Sequence, residues 1–250
     1  IKEIMYSEAH RLLLTYIRSV RYVEAGVLLE AFKFMLGNLQ LEVQPLKNVL
    51  DQYIAEINSK ISGQNFKIER KTHEITGDLY YIFINTLSDE IVQESSVYTT
   101  AELTVIKYLI RNIIEASDYR CSLARVNANQ TISTNTNKNL MEADSMVDRL
   151  IDDGWFISTI DDRLMLSIKT LCELKEYLIE TYGVNGDDTD ADGKVLLCTQ
   201  CKEIVTLGWI IPSGSKPFHR KCYDVYCRTN QIYPEDESDL LRVGPDPSTL

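Results

Sequence analysis

Residues 66–84, FKIERKTHEITGDLYYIFI, carry the pattern on which the fold predicted for the first part of the chain depends. Phe66 and Ile68 alternate with charged residues, and residues 79–84 form a run of aromatic and aliphatic side chains. Both patterns are typical of β-strands. Between them, Thr76-Gly77-Asp78 supplies a turn. The stretch therefore predicts a β-hairpin.

Three helices are predicted ahead of this hairpin. Apolar residues recur at helical spacing over residues 9–21, 23–36 and 45–61. Gly63 marks the end of the third helix. Three helices followed by a β-hairpin is the order of elements in a winged-helix domain. We assign residues 1–97 to a first domain of this kind.

The same order recurs after residue 98. Thr99 and Glu102 have the spacing of a capping box at the start of a helix. Residues 122–126 predict either a helix or a small strand, and the Asn- and Thr-rich residues 127–139 predict an exposed loop. The remaining elements predicted are a helix over 139–152, a hairpin of residues 155–157 and 164–166, and a helix over 168–182. Together they predict a second winged-helix domain over residues 98–184.

The composition is that of an ordinary globular protein. The chain has 250 residues, of which 44% are hydrophobic and 25% are charged. No apolar run reaches the roughly 20 residues that a membrane-spanning helix needs, and the first residues do not resemble a signal sequence. No membrane association is therefore expected. The net charge of -11 argues against nonspecific binding to nucleic acid.

Charge also tests whether the predicted winged helices bind DNA. The Lys residues of helix 45–61 are matched by acidic ones, and helix 139–152 sets Arg149 against four acidic residues. A helix in the major groove needs Lys and Arg beside the phosphates, so DNA contact is expected to be indirect or weak at most. The basic residues of the first hairpin leave a nucleic-acid contact open, although their acidic neighbours favour a solvated hairpin. They are Lys67, Arg70, Lys71 and His73.

The clearest chemical signal is the pair of motifs Cys198-Thr199-Gln200-Cys201 and His219-Arg220-Lys221-Cys222. A CxxC turn places two thiolates beside one metal ion, and an HxxC motif at a helix start can complete a tetrahedral site. We therefore predict one zinc ion held by Cys198, Cys201, His219 and Cys222, in a module of residues 196–233. The alternative is four reduced residues in a small core, but so short a segment has little apolar material with which to fold without a metal.

The segments around this module carry different expectations. The acidic residues 185–195 predict a linker, and the acidic, proline-containing residues 234–250 predict a disordered tail. Cys227 is expected to be a buried thiol on a helix that leaves the metal site, the alternatives being a further ligand or a reactive nucleophile. Cys121 and Cys172 are expected to be structural, since free cysteine packs as a small hydrophobic residue.

The chain resembles the non-SMC element 1 family, whose members are subunits of the structural maintenance of chromosomes 5/6 complex. The resemblance rests on the order of elements, on residues 174–178 (LKEYL), and on the CxxC and HxxC motifs with Tyr223 and Tyr226 after them. It implies a role in DNA repair and recombination, a nuclear, chromatin-associated location, and pairing with a MAGE-fold subunit and a kleisin subunit through the winged helices. It also implies a variant RING domain regarded as a ubiquitin ligase.

The chain departs from the RING pattern of two zinc ions and eight ligands. Residues 202–218 contain no Cys or His, and residues 229–237 contain no Cys. The second zinc site is therefore missing from the sequence. A ligase of this type docks a ubiquitin-conjugating enzyme on a surface shaped by both zinc loops. Strong ligase activity is not expected here.

These observations predict a mainly α fold with small β-hairpins, built from tandem winged-helix domains and a one-zinc RING-like remnant. The predicted function is that of a structural and protein-interaction subunit. One alternative is a RING-type ubiquitin ligase dependent on its partner subunit, in which Trp209, Ile210 and Ile211 replace the second zinc by apolar packing. A less favoured alternative is a winged-helix transcription factor. The sequence does not decide whether the chain is an enzyme, and no catalytic residue is predicted.

Overall fold

The computed structural model describes residues 6–41, 46–86, 98–186, 193–212, 214–232 and 239–250. The chain divides into two compact units, Ile1–Leu87 and Ser88–Leu250. Helices dominate, and the described residues form three antiparallel sheets of three strands each. The predicted mainly α fold with small β-hairpins is confirmed at this level. No helix in these ranges is both long and apolar enough to cross a bilayer.

The described part of the first unit contains three α-helices and one sheet. Its elements are α1 (Glu8–Val20), β1 (Tyr22–Glu24), α2 (Ala25–Asn38), α3 (Leu46–Ile61), β2 (Phe66–Thr72) and β3 (Leu79–Asn85). The predicted helices and hairpin are confirmed. Leu13, Phe32 and Ile57, one from each helix, are fully buried in a core that also holds Ile68 of β2. The helices therefore bury their apolar faces against one another and against one face of the hairpin.

Strand β1 is the element of this unit that the sequence pattern missed. The helix predicted over 23–36 begins only at Ala25, because residues 22–24 pair with residues 80–82 of β3. Arg21 turns the chain from α1 into this strand with a φ of 66°. Three residues are too few to show the alternation by which a strand is recognised. The sheet order is β1-β3-β2.

The helical body of the second unit, residues 98–186, repeats this order of elements. They are α4 (Thr100–Ile114), β4 (Leu123–Ala124), α5 (Arg125–Asn135), α6 (Leu140–Asp152), β5 (Phe156–Ser158), β6 (Arg163–Leu166), α7 (Ile168–Glu173) and α8 (Lys175–Tyr182). The capping box is confirmed, since the Thr99 hydroxyl accepts the amide of Glu102 and the Glu102 carboxylate accepts the amide of Thr99. The single helix predicted over 168–182 is divided at Leu174 into α7 and α8.

The predicted exposed loop over residues 127–139 is wrong, because most of it belongs to helix α5. Asn and Thr have low helix propensity, but tertiary packing outweighs that preference here. Ala128 and Ile132 are fully buried in the core of the second unit. At the start of the helix, Nε of Arg125 donates to the Asp144 carboxylate of α6 at 2.7 Å.

The metal module, defined here as residues 193–250, holds the third sheet. Its elements are β7 (Gly208–Ile211), β8 (Lys216–Phe218), α9 (Arg220–Asn230) and β9 (Leu241–Val243), with the strand order β8-β7-β9. The predicted disordered tail is wrong over residues 239–250, because β9 pairs with β7 and Leu240 and Val243 are buried. The rest of that prediction, residues 234–238, lies outside the described residues.

The predicted acidic linker, residues 185–195, has its two ends joined. Val184 and Val195 form a parallel β-bridge. Gly193 lies so close to this bridge that an added Cβ would be 2.3 Å from the carbonyl oxygen of Val184. The ends of the segment therefore hold the metal module beside the helical body instead of separating them. Residues 187–192 lie outside the described residues.

Candidate metal centre

The structure brings the four predicted ligands together. The Sγ atoms of Cys198, Cys201 and Cys222 and a ring nitrogen of His219 all lie within 4.8 Å of one another. Nδ1 of His219 lies 3.3 Å from Sγ of Cys201 and 3.7 Å from Sγ of Cys222. Three thiolates and one imidazole form a donor set of structural zinc sites. The residues present therefore fit one zinc ion.

A tight turn positions the two thiols of the CxxC motif. The amide of Lys202 donates to the carbonyl oxygen of Cys198 at 2.9 Å, and Lys202 adopts a left-handed φ of 62°. An antiparallel bridge between Leu197 and Ile204 closes the turn. Cys198 is fully buried, whereas Cys201 is exposed. Backbone hydrogen bonds thus set the spacing of this pair of ligands.

The start of helix α9 supplies the other two ligands. His219 is the N-cap residue, and Cys222 lies in the first turn. A thiolate in the first turn of a helix is stabilised by the positive end of the helix dipole. The amide of Thr199 donates to the carbonyl oxygen of Pro217 at 2.8 Å, which joins the CxxC turn to β8 just ahead of the helix. Both halves of the ligand set are therefore held by the same small sheet.

A backbone carbonyl fixes the orientation and the tautomer of His219. Its Nε2 lies 3.0 Å from the carbonyl oxygen of Ile204. Because a carbonyl oxygen can only accept, Nε2 carries the proton and Nδ1 is left as the ligand atom. Metal-binding histidines commonly donate their second nitrogen in this way. The sequence could not reveal this contact, since every residue has a backbone carbonyl.

The thiols of the CxxC motif influence each other's ionisation. A hydrogen bond from Cys201 holds the pKa of the Cys198 thiol well below its usual value. The same contact raises the pKa of Cys201. Cys198 is therefore the first of the two to become a thiolate, which is the form that binds metal.

Cys227 lies apart from the ligand group. Its side chain is 3% exposed and lies in the core of the metal module, which also contains Phe218 and Tyr223. It is not a member of the Cys3His cluster found among the described residues. The prediction of a buried thiol on the helix that leaves the site is confirmed.

Apolar packing forms the rest of the metal module. Trp209, Ile210 and Ile211 of β7 are all buried in its core. The guanidinium of Arg220 lies over the ring of Trp209, 5.1 Å from its centroid. Ile204 is 2% exposed and belongs to the core of the helical body. Residues 204–211, which lie between the two ligand pairs in the sequence, are thus all buried.

Two of the basic residues of the first hairpin, Lys67 and Arg70, have acidic partners. Nη1 of Arg70 lies 3.1 Å from the Asp51 carboxylate, and Nζ of Lys67 lies 3.7 Å from that of Glu69. In the second unit, acidic side chains of α6 form ion pairs with Arg125 of α5. Charges that are paired in this way leave little net positive potential for phosphates. The geometry therefore favours the solvated hairpin over a nucleic-acid contact.

The chain is thus a mainly helical protein of two units, and the second unit carries a Cys3His group that could hold a metal ion. A family model described as the Nse1 non-SMC component of the SMC5-6 complex matches residues 10–174. The chain belongs to this family, and the resemblance inferred from the sequence is confirmed.

Similar proteins cover most of the chain. Non-structural maintenance of chromosomes element 1 of Schizosaccharomyces pombe is 24% identical over 225 residues, which span 88% of this chain and 85% of that protein. The homolog of Xenopus tropicalis is 21% identical over 212 residues, which span 84% of this chain and 74% of that protein. A chain solved within an Nse1-Nse3-Nse4 complex matches with a TM-score of 0.74 at 16% identity, covering 96% of this chain and 98% of that one.

Proposed function

We propose that this protein is a structural and protein-interaction subunit of the SMC 5/6 DNA-repair complex, and that it binds a MAGE-fold subunit and a kleisin subunit. The observation that carries the proposal is the structural match, along nearly the whole chain, with a protein solved inside an Nse1-Nse3-Nse4 complex. The family membership supports the same assignment. A nuclear, chromatin-associated location is part of the proposal.

Two winged-helix domains, over residues 1–97 and 98–184, are proposed to provide the partner surfaces. The first unit runs α1-β1-α2-α3-β2-β3, and the helical body of the second begins α4-β4-α5-α6-β5-β6. In both sheets the last strand lies in the middle, between the short first strand and its hairpin partner. The same topology built twice from different sequences supports a tandem of one domain type.

Exposed apolar side chains give these domains candidate contact points. On α2, Val27 and Phe34 are seven residues apart and therefore share a helix face, and Phe34 is 71% exposed. At the start of α6, Leu140 and Met141 are 63% and 79% exposed. Contiguous exposed apolar surface is typical of protein interfaces. We propose that these positions contact the partner subunits.

The Cys3His group is proposed to hold one zinc ion in a structural role. Cys198, Cys201, Cys222 and Nδ1 of His219 would fill all four positions of a tetrahedral ion, which leaves none for a substrate. When bound, zinc supplies a crosslink between the CxxC turn and the start of α9. A closed site of this kind has a structural role and offers no catalytic position at the metal.

The apolar packing of Trp209, Ile210 and Ile211 that the ubiquitin-ligase alternative calls for is present, but it leaves these side chains buried and unavailable for docking. Ile204 and Trp209, which lie between the two ligand pairs in the sequence, are 2% and 5% exposed. Ile204 belongs to the core of the helical body, and Arg220 lies over Trp209. A docking surface needs accessible apolar side chains at its centre. The paired charges of the first hairpin and of α6 argue in the same way against a transcription factor.

Affinity purification of the tagged full chain from its own cells tests the proposal. We expect a MAGE-fold subunit and a kleisin in near-equal amounts by mass spectrometry. The double variant Phe34→Asp and Met141→Asp should lower their recovery, because a carboxylate would have to be buried at each contact. Lys33→Ser, at an exposed polar neighbour of Phe34, is the control. Absence of both partners at low salt would refute the assignment.

A further inference from the structure

The segment 239–250 is built into the metal module. Strand β9 pairs antiparallel with β7, and Arg242 lies opposite Trp209. Leu240 and Val243 are 7% and 1% exposed and share a core with Phe218. Strand β7 is the central strand of this sheet. It pairs with β8 on one edge and with β9, which belongs to this segment, on the other.

The same segment bonds to the helical body. The amide of Gly244 donates to the carbonyl oxygen of Tyr119 at 2.8 Å. The amide of Ile160, in the turn between β5 and β6, donates to the carbonyl oxygen of Thr249 at 2.6 Å. Tyr119 and Ile160 both belong to the helical body and lie 41 residues apart in the sequence. One short segment thus contacts two separate parts of that body as well as the rest of the metal module.

Local contacts hold the bend of the segment. Nη1 of Arg242 lies 2.6 Å from the Asp246 carboxylate, which also accepts the amide of Ser248 at 2.9 Å. Gly244 has a φ of 83°, and an added Cβ would lie 2.3 Å from the carbonyl oxygen of Thr206. Only glycine adopts this conformation at so close an approach without strain. The path of the segment is therefore set by its own sequence.

We propose that residues 239–250 act as an intramolecular clamp that fixes the rest of the metal module on the helical body. The Cys3His group is the one candidate metal cluster among the described residues. The clamp gives the module the order that a second metal site would otherwise supply. It also occupies an edge of β7 that could otherwise add a strand from another chain. The inference concerns this chain alone and does not depend on the proposed partners.

Deletion of residues 239–250 from the full chain tests the clamp by amide hydrogen exchange. The amide of Ile160 is a specific reporter, because its acceptor is the carbonyl of Thr249 within the deleted segment. All four proposed zinc ligands lie outside the deletion. We expect exchange at Ile160 and in β7 to accelerate by about tenfold or more, while one zinc ion per chain stays bound.

A point variant keeps the test decisive if the deletion variant does not fold. Gly244→Ala should accelerate exchange at Ile160, because the added Cβ cannot be placed beside Thr206. Leu241→Ala is the matched control, since that side chain is 50% exposed and the backbone pairing of β9 is retained. Wild-type exchange rates at Ile160 and in β7, in the deletion variant or in a folded Gly244→Ala variant, would overturn the proposal.

Discussion

The Nε2–H of His219 donates to the carbonyl oxygen of Ile204 at 3.0 Å, while the side chain of Ile204 lies in the core of the helical body. One residue therefore orients a candidate metal ligand and also packs among the neighbouring helices. Val195, on the other side of the CxxC motif, belongs to the same core. Metal binding and the stability of the helical body are expected to be linked through these residues.

Loss of a ligand should destabilise the helical body together with the metal module. In Cys198→Ser a fully buried thiolate is replaced by a much weaker ligand. We expect the variant to lose zinc and the free energy of unfolding of the second unit to fall by several kcal/mol. Elemental analysis measures the zinc. Tryptophan fluorescence measures unfolding, since the two tryptophans of the chain are Trp155 in the helical body and Trp209 in the module.

Cys227→Ser is the matched control for this ligand variant. It also removes a buried thiol from the core of the metal module, but one outside the ligand group. We expect one zinc ion per chain to stay bound, with a smaller loss of stability. Equal loss of zinc in the two variants would contradict the ligand assignment.

Gly193→Ala should disrupt the bridge that joins the two sides of the acidic segment. The added Cβ would lie 2.3 Å from the carbonyl oxygen of Val184, which only a backbone shift can relieve. We expect the second unit to lose about 2 kcal/mol of stability, measured by calorimetry. Gly37→Ala is the control, since an added Cβ there meets nothing within 4 Å. A Gly193→Ala variant as stable as wild type would argue that Val184 and Val195 are not paired in solution.

Glu102 joins the cap of α4 to an ion pair with α6. Burial alone would raise the pKa of Glu102, but hydrogen bonds from the Thr99 amide and the Arg149 guanidinium lower it to about 2 from an ordinary value of 4.5. The folded state therefore gains stability from this carboxylate above about pH 4.5, and loses it as the pH falls towards 2. Acid unfolding followed by tryptophan fluorescence measures the loss.

Two substitutions separate the charge of Glu102 from its capping role. Gln can still accept the Thr99 amide, so Glu102→Gln should remove the pH dependence between 4.5 and 2 while most of the cap is retained. Glu102→Ala removes both and should cost about 1 kcal/mol more than Glu102→Gln at neutral pH. Equal stability of the two variants would show that the cap contributes nothing.

The elements that could be predicted from the sequence are those with a local, periodic pattern. Helices α3 and α6 repeat apolar residues over three or more turns, and the observed bounds agree with the predicted ones to within about one residue. Strand β1 and helix α5 could not be predicted in this way. The strand forms because β3 offers a partner far along the chain, and the helix forms because its two buried residues pack against α4 and α6.

The candidate site likewise has some features that a sequence pattern predicts and others that it does not. The spacing of the CxxC and HxxC motifs identifies the ligands, because a tetrahedral ion constrains which side chains can reach it. No pattern in the sequence identifies the carbonyl of Ile204 as the hydrogen-bond partner of His219. The acidic and proline-containing surroundings of segment 239–250 predict disorder, yet Leu240 and Val243 pack in a core with residues of β7 and α9. Burial of so few apolar residues depends on tertiary contacts that composition does not reveal.

His10 gives the first unit a specific dependence on pH. It is fully buried, and its ring stacks on those of Tyr53 at 3.9 Å and Tyr6 at 5.0 Å. Nδ1 accepts the amide of Ser7 at 3.0 Å, so the proton of the neutral ring is on Nε2, 3.3 Å from the Glu56 carboxylate. Burial lowers the pKa of His10 from its ordinary value of 6.5, and Glu56 offsets part of that shift.

Because the pKa of His10 is lower in the folded state, its contribution is complete above about pH 6.5 and is lost as the pH falls through the folded value. Protonation would add a hydrogen to Nδ1, the atom that accepts the Ser7 amide, and so open the start of α1.

Hydrogen exchange of residues 8–20, corrected for intrinsic rates, should give a lower opening free energy at about pH 5.5 than at about pH 7.5. The difference should shrink in His10→Gln. It should largely persist in His73→Gln, whose histidine lies at the end of the hairpin and not in α1. A difference as large in His10→Gln as in wild type would assign the pH dependence to another group.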